Sequence, residues 1–337
     1  MKSKYRNLFF AFGIVAVLVM LFTFDMDYRE LWVNLKRAGV YLPMILLLWL
    51  FVYLINTLSW YIIIRSGGKP GFTFARLYKF TVTGFALNYV TPVGLMGGEP
   101  YRIMELTPYI GVERATSSVI LYVMMHIFSH FCFWLSSVLI YICLHPVGWG
   151  MGVVLGAITL FCLFLVSLFV KGYRHGMVLA CIRFGSHLPF LKTKALRFVE
   201  VHRKQLEDID KQIAVLHQQK KQVFYGALLL EYTARIVSCL EVWLILNILT
   251  THISFIDCVL IVAFSSLLAN LLFFLPMQLG GREGGFALAV GGLSLSGAFG
   301  VYAALITRVR EMVWIVIGLA LMKMGNYKKP IKKDELK

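Results

Sequence analysis

Residues 91–102 read TPVGLMGGEPYR. Two prolines, three glycines, a glutamate and an arginine fall within twelve positions of a chain that is otherwise mostly apolar. Nearly the same phrase returns at 275–286, LPMQLGGREGGF. Pro92-x-x-Leu95-x-Gly97-x-Glu99 aligns with Pro276-x-x-Leu279-x-Gly281-x-Glu283 without a gap. Proline and glycine break the backbone hydrogen-bond ladder, and unpaired amides facing lipid are very costly. Broken helices at membrane depth are therefore tolerated only where protein buries them or where they line a cavity. The structural breaks are expected at Pro92, Gly97, Gly98, Pro276, Gly280 and Gly281, and they mark a site.

The setting of these breaks is a membrane protein. Of 337 residues, 59% are hydrophobic and only 15% charged, and the mean hydropathy is +0.76. A soluble domain needs far more polar surface. Continuous apolar runs occupy 8–24, 41–64, 115–144, 148–170, 223–249, 256–275 and 298–325. Each approaches or exceeds the roughly 17–25 residues a spanning helix requires. The runs do not alternate, which excludes a β-barrel. The first run, behind MKSKYRN, is longer than a signal-peptide core and lacks a small-x-small cleavage site, so it reads as a retained helix. The six cysteines show no metal-ligand or paired spacing and read as small hydrophobes. Net charge is +16. With no nucleic-acid motif present, that charge reads as cytoplasmic loops set against anionic headgroups.

Basic residues sort the loops. The N-terminus, segment 65–79, segment 171–222 (eleven Lys or Arg against four acids) and the tail at 326–337 belong to the cytoplasmic side. Segments 25–40, 145–148 and 250–256 suit the outside. Runs 115–144 and 148–170 already supply the two crossings that join 65–79 to 171–222. Residues 76–112 must then enter and leave on one side. The same count makes 256–297 a hairpin from the opposite side. The expected fold is an all-α polytopic membrane protein of about seven transmembrane helices plus two re-entrant broken-helix hairpins in an inverted-repeat arrangement. Residues 1–325 form one domain, with an amphipathic cytoplasmic insert at about 171–222 that lies on the inner headgroups or docks a protein.

Charges inside the membrane are expensive and face a cavity or a partner. Glu99 precedes Pro100, a favoured first helix residue, and a helix starting there carries Arg102 and Glu105 on adjacent turns. Its N-terminal amides would suit a phosphate or carboxylate. Arg282 and Glu283 hold the equivalent place in the second hairpin. Glu231 and Arg235 stand at i,i+4, and Arg308 and Glu311 at i,i+3, so each of these pairs either forms an ion pair within its helix or serves a substrate. The candidate substrate-binding residues are Glu99, Arg102, Arg282, Glu283, Arg308, Glu311, Glu231 and Arg235. The glutamates either neutralise the empty site or take a proton when substrate enters. His126 and His130 share i,i+4 spacing but lack the carboxylate company of a metal site. No nucleotide or catalytic-triad motif accompanies them, so neither a metal nor a cofactor is expected.

NYVTPVGLMGGEPYRIMEL (88–106), together with LPMQLGGREGGFALAVGG (275–292), resembles the lysylphosphatidylglycerol synthase transmembrane-region family. That family includes the flippase half of the bacterial multiple peptide resistance factor and stand-alone relatives. The resemblance covers about residues 10–325. It implies a flippase that moves a polar, anionic or aminoacylated lipid between leaflets of a bacterial inner membrane, with both termini cytoplasmic. Carried over by motif, Glu99, Arg102 and Glu283 are the implied substrate residues. After Met324 only about a dozen residues follow. The expectation is that this chain does not itself make the lysyl lipid, which leaves the cargo open. The expected partners are a membrane phospholipid or lipid-linked substrate, anionic headgroups at the cytoplasmic face, and either a second copy or a separate synthase. Two rival functions stay open: an integral membrane transferase acting on a lipid-linked substrate, and a non-catalytic partner of a synthase.

The topology makes a direct prediction. A cysteine placed near residue 200 should label only from the cytoplasmic side, and one near 253 only from outside. Labelling of both from one side would overturn the crossing count.

Overall fold

In the computed structural model the described residues are 36–90, 97–175, 221–250, 253–271, 281–293 and 295–324, with positions 7, 10, 11, 32, 33 and 207. Run 8–24 falls almost wholly outside them, as do most of the insert, the tail, Pro92, Pro276 and Gly280. The described residues form helices α1 (Tyr41–Ser66), α2 (Phe74–Val90), α3 (Gly98–Ile110), α4 (Val112–Leu144) and α5 (Trp149–His175). After the insert come α6 (Lys221–Leu246), α7 (Phe255–Leu271), α8 (Gly281–Gly292) and α9 (Gly297–Lys323). The protein is an all-α membrane protein.

Within the described residues, α1, α4 and the stretch Trp149–Ser167 of α5 are both long and apolar enough to cross a bilayer. Helices α6 and α9 match them in length, at 26 and 27 residues. Their charged side chains lower the hydropathy: Glu231, Arg235 and Glu241 in α6, and Arg308, Arg310 and Glu311 in α9. Run 256–275, one of the apolar runs, corresponds here to the 17-residue α7. That helix is one arm of a hairpin whose other arm, α8, has 12 residues.

Cross-helix contacts fix the relative directions. Ile45 clusters with Ile245, Trp49 meets Glu241, and Ser59 donates to the Ala227 carbonyl, so α1 and α6 are antiparallel. His126 meets Glu231 and Ser129 meets Arg235, so α4 runs parallel to α6. Helix α5 packs on α4 and leaves side chains such as Leu160 (71% exposed) on the outer face. Large exposed apolar side chains of this kind suit lipid rather than water.

Both sequence breaks yield helical hairpins. Across the first, Asn88 meets Gly98, Thr81 meets Arg102 and Arg76 lies over Tyr109, so α2 and α3 run antiparallel. Across the second, Gly285 lies against Ser265 while Ala289 and Val290 cluster with Cys258 and Ile261, so α7 and α8 do the same. Helix α9 relates the two hairpins. Lys79 reaches the Met324 carbonyl, Thr83 bonds to Gly318 and Leu87 clusters with Ile315, so α2 climbs α9 from its C-terminal end towards its middle. Arg282 and Glu283 meet Glu311 and Arg308, while Gly300 touches the Phe286 backbone, so α8 leaves the middle of α9 towards its N-terminal end. At about 1.5 Å per residue α9 is some 40 Å long. Both breaks therefore lie level with the centre of a membrane-length helix, approached from opposite ends. This is the geometry that an inverted repeat requires.

The first break is tightly packed. Helix α3 begins at Gly98, two residues earlier than the Glu-Pro signal suggested, and Pro100 sits in its first turn. A missing N–H is harmless there because first-turn amides have no intrahelical partner. Gly98 rests directly against the Gly84 carbonyl, and a side chain on Gly84 would strike the Arg102 guanidinium. We predict that Gly98→Val lowers thermal stability by about 1–3 kcal/mol through overpacking. Melting of the purified protein in detergent checks this, and an unchanged midpoint would contradict the close approach.

Candidate functional site

Helices α1–α9 enclose a cavity of about 700 Å³. Both hairpins reach it: Asn88, Tyr89, Glu99 and Arg102 from the first, Arg282 and Phe286 from the second. Five arginines (102, 235, 282, 308 and 310) and four glutamates (99, 231, 241 and 311) line it. Seven of the eight candidate residues thus come together. The eighth, Glu283, touches the same cluster through Arg308.

The first hairpin tip is organised by Asn88, which the sequence reading passed over. Its side-chain oxygen accepts the Gly98 amide at 2.6 Å, capping α3, while its Nδ2 donates to Glu99 Oε1 at 2.9 Å. Asn88 acts from α2, ten residues before the helix it caps, so the usual N-cap pattern of a flanking residue could not have marked it. Arg102 also reaches Glu99 Oε1, at 3.3 Å, and its Nη2 donates to the Thr81 carbonyl. With its side chain 1% exposed, Arg102 is boxed by the rings of Phe85, Tyr122 and Trp60, whose centroids lie 4.8, 5.3 and 5.7 Å from its guanidinium carbon. Cation–π attraction is strongest for such desolvated cations. Glu99 Oε2 is buried without a hydrogen-bond partner among the described residues.

At the second tip the arginines and glutamates pair across helices. Arg282 of α8 holds Glu311 of α9, and Arg308 of α9 holds Glu283 of α8 at 2.5 Å. The local i,i+3 pair Arg308–Glu311 is thereby replaced by two reciprocal bridges that fasten the re-entering helix to α9. The i,i+4 pair of α6 is likewise replaced. Glu231 turns to His126 of α4 at 2.8 Å, and Arg235 bonds to the Ser129 hydroxyl at 3.0 Å and the His126 carbonyl at 3.3 Å. Local spacing failed in both places for the same reason. In these two places the inward-facing charges find their partners across the interior, whereas Arg102 keeps Glu99 one turn along its own helix.

Another pair completes the set. Arg310 Nε and Nη2 donate to Glu241 Oε1 and Oε2 at 2.8 and 2.9 Å, a two-pronged geometry of the stronger kind. The same guanidinium lies 3.7 Å from the Trp49 ring centroid, and Trp49 Nε1 donates to Glu241 Oε2. Both charged side chains are nearly fully buried. Arg310 and Glu241 were visible in their runs but carried no spacing signal, because they join helices almost seventy residues apart. Among the described residues no group of three or more metal-ligating side chains forms, and His126 and His130 simply stack edge to face.

The model of the family described as lysylphosphatidylglycerol synthase TM region matches residues 8–319. The chain belongs to that family. Comparison with the curated proteins and with solved structures gave no match. Family membership spans both hairpins and the whole charged cavity, and it ties the protein to membrane lipids.

The Arg310–Glu241 pair makes a prediction. Removing one partner strands a buried charge, which typically costs about 3–5 kcal/mol, whereas removing both is far milder. Arg310→Leu should lower the melting temperature sharply, and Arg310→Leu with Glu241→Leu should recover most of the loss. A double variant no better than the single one would show that the pair does not act as a unit.

Proposed function

We propose that the protein translocates a polar lipid between leaflets, the headgroup passing through the charged cavity while the hydrocarbon chains stay in the bilayer. The observation that carries this reading is one cavity, level with the middle of α9, into which both broken hairpins deliver charge. A phosphate or ammonium headgroup leaving water loses its solvation, and a channel of arginines and glutamates replaces it with fixed partners. Family membership supports lipid as the cargo.

The side of the cavity supports a lipid route as well. Ile127, Phe161 and Leu271 line it and are also 44%, 41% and 49% exposed. These residues belong to α4, α5 and the end of α7, the face where α5 is most open. Apolar, outward-facing rims let acyl chains remain in lipid while a headgroup sits inside.

In this reading Glu99 and Arg102 form the contact from one hairpin, and Arg282 with Glu283 the contact from the other. The membrane would be the cytoplasmic membrane of a bacterium, with both termini inside. The driving force would be the membrane potential, the lipid gradient, or a proton carried by a glutamate.

The test is translocation of fluorescent lipids with neutral and anionic heads in proteoliposomes of the purified chain. Wild-type protein should accelerate translocation, with Glu99→Gln reducing the rate at least about tenfold. Acceleration of no lipid by folded, inserted protein would overturn the proposal. So would a Glu99→Gln rate equal to wild type together with an equal Glu283→Gln rate.

A further inference from the structure

The pairing of charges in the cavity is uneven. Arg102, Arg282, Arg308 and Arg310 each have a glutamate within salt-bridge distance. Arg235 has none among the described residues. Glu231, one turn before it on α6, is turned towards His126. The hydrogen bonds of Arg235 go to neutral oxygens: Nε and Nη2 to the Ser129 hydroxyl, and Nη2 to the His126 carbonyl. A guanidinium carries five N–H donors in a fixed planar fork, and this set leaves the Nη1 edge uncommitted. Close by, on the same face of α4, His130 has its Nδ1 buried without a hydrogen-bond partner among the described residues. Both residues line the cavity. The wall between α4 and α6 therefore presents a cation that no carboxylate bridges among the described residues, with Glu231 facing it only at longer range, and a second polar nitrogen beside it.

Beside this wall lies a second cavity of about 130 Å³, between α4, α5, α7 and α8. Its lining is almost wholly apolar and includes Val138, Leu155, Leu260 and Leu288. It shares Trp134 and Leu267 with the large cavity, so the two adjoin across these side chains. The ring centroid of Trp134 is 5.4 Å from that of His130. One indole thus stands between the polar nitrogens and the apolar crevice. Its own N–H is already satisfied by Ser266.

We infer that these two features form one binding site for a phosphodiester lipid, with the phosphate on the Arg235–His130 wall and one hydrocarbon chain in the crevice beyond Trp134. The inference rests on the lipid reading above and names the part of the cargo that the cavity selects. A phosphodiester carries a single negative charge, which matches a single arginine without a carboxylate. Its oxygens accept from the two hydrogens that remain on Nη1, charge-assisted bonds of the stronger kind. The other four arginines are each held by a glutamate, so an anion reaching them competes with a carboxylate. The tail commitment follows from adjacency. A charged subsite that borders an apolar slot across one indole suits a ligand whose charge and hydrocarbon are covalently joined.

Binding in maltoside micelles, which contain no phosphate, tests the site independently of transport. The probes are dihexanoyl phosphatidylglycerol, its phosphate-free counterpart dihexanoylglycerol, and inorganic phosphate. Wild-type protein should bind the phosphatidylglycerol at least about tenfold more tightly than either of the others. Arg235→Gln should abolish that margin and leave dihexanoylglycerol unchanged. Gly292→Phe should weaken both lipids several-fold and leave inorganic phosphate unaffected. Gly292 lines the crevice, and a β-carbon there meets no atom within 4 Å, so a side chain can start from this position without a backbone clash.

Wild-type affinity for phosphatidylglycerol in folded Arg235→Gln protein would overturn the phosphate assignment. If that variant fails to fold, Arg235→Lys and Ser129→Ala decide the matter, since unchanged affinity in both would overturn it equally. Inorganic phosphate bound as tightly as the lipid, or Gly292→Phe without effect on lipid, would overturn the tail assignment. Lipid binding with no translocation would sink the transport reading and leave this site standing. Translocation and binding both indifferent to Arg235→Gln would sink the site alone.

Discussion

Every feature of the bundle's interior follows from one constraint: charge placed at the depth of the hydrocarbon must be answered from within the protein. Ten ionisable groups sit there because the sequence puts arginine and glutamate on the inward faces of α3, α6, α8 and α9. With no water outside the bundle at that depth, most of the cations are held by an anion, three of the five by one from another helix. The resulting bridges run from α8 to α9 and from α6 to α9, while His126 joins α4 to α6. They act as the fasteners of the fold as much as the furniture of the cavity. Buried pairs contribute little net stability against an apolar core but strongly disfavour any arrangement that separates them. Their physical role here is to specify how the broken helices dock.

The apolar contacts then have only to fill the spaces. Trp60, Phe80, Leu106 and Tyr122 join α1 to α4 around the first hairpin, while Ile45, Val242, Ile261, Val290 and Ile306 do the same around the second. Glycine governs how near the backbones come. The contact of Gly98 with Gly84 brings α3 onto α2 at the point where Arg102 must pass, and Asn88 ties the two by bonding to both Gly98 and Glu99. A larger residue at either glycine would move the guanidinium and the helix start together. Position of charge and closeness of packing are in this sense one property.

The sequence made the fold legible where the signal was one-dimensional. Long apolar runs gave α1, α4, α5, α6 and α9, and the Pro-Gly phrases fall between the helices α2 and α3 and between α7 and α8. The repeated phrase and the loop charges together required opposed hairpins, and the contacts along α9 have that sense. The partnerships could not be read in the same way. Spacing of i,i+4 and i,i+3 invited Glu231–Arg235 and Arg308–Glu311, because neighbours on a helix are the only neighbours a sequence displays. Tertiary proximity chose His126, Glu283 and Arg282 instead. Asn88, Gly84, Trp49 and the Arg310–Glu241 pair escaped for a related reason. Each matters through what lies across from it, and nothing in its own segment marks it.

The same pairing explains how a cavity so densely charged can still handle a charged guest. A tight, fully satisfied network would bind nothing, since every donor would already be spoken for. Here Glu99, Glu231 and Glu283 each keep one buried oxygen without a hydrogen-bond partner, as do Arg102 at Nε and Arg310 at Nη1 among the described residues. Such groups hold each other near neutrality yet retain attraction for a ligand that brings the complementary atom. A headgroup entering the cavity therefore exchanges partners instead of creating an isolated charge, and the free energy of each exchange is small compared with that of breaking a pair outright. Arg235 is the exception that gives the exchange a direction, because among the described residues it alone of the cavity arginines has no glutamate within bridging distance to compete with an anion.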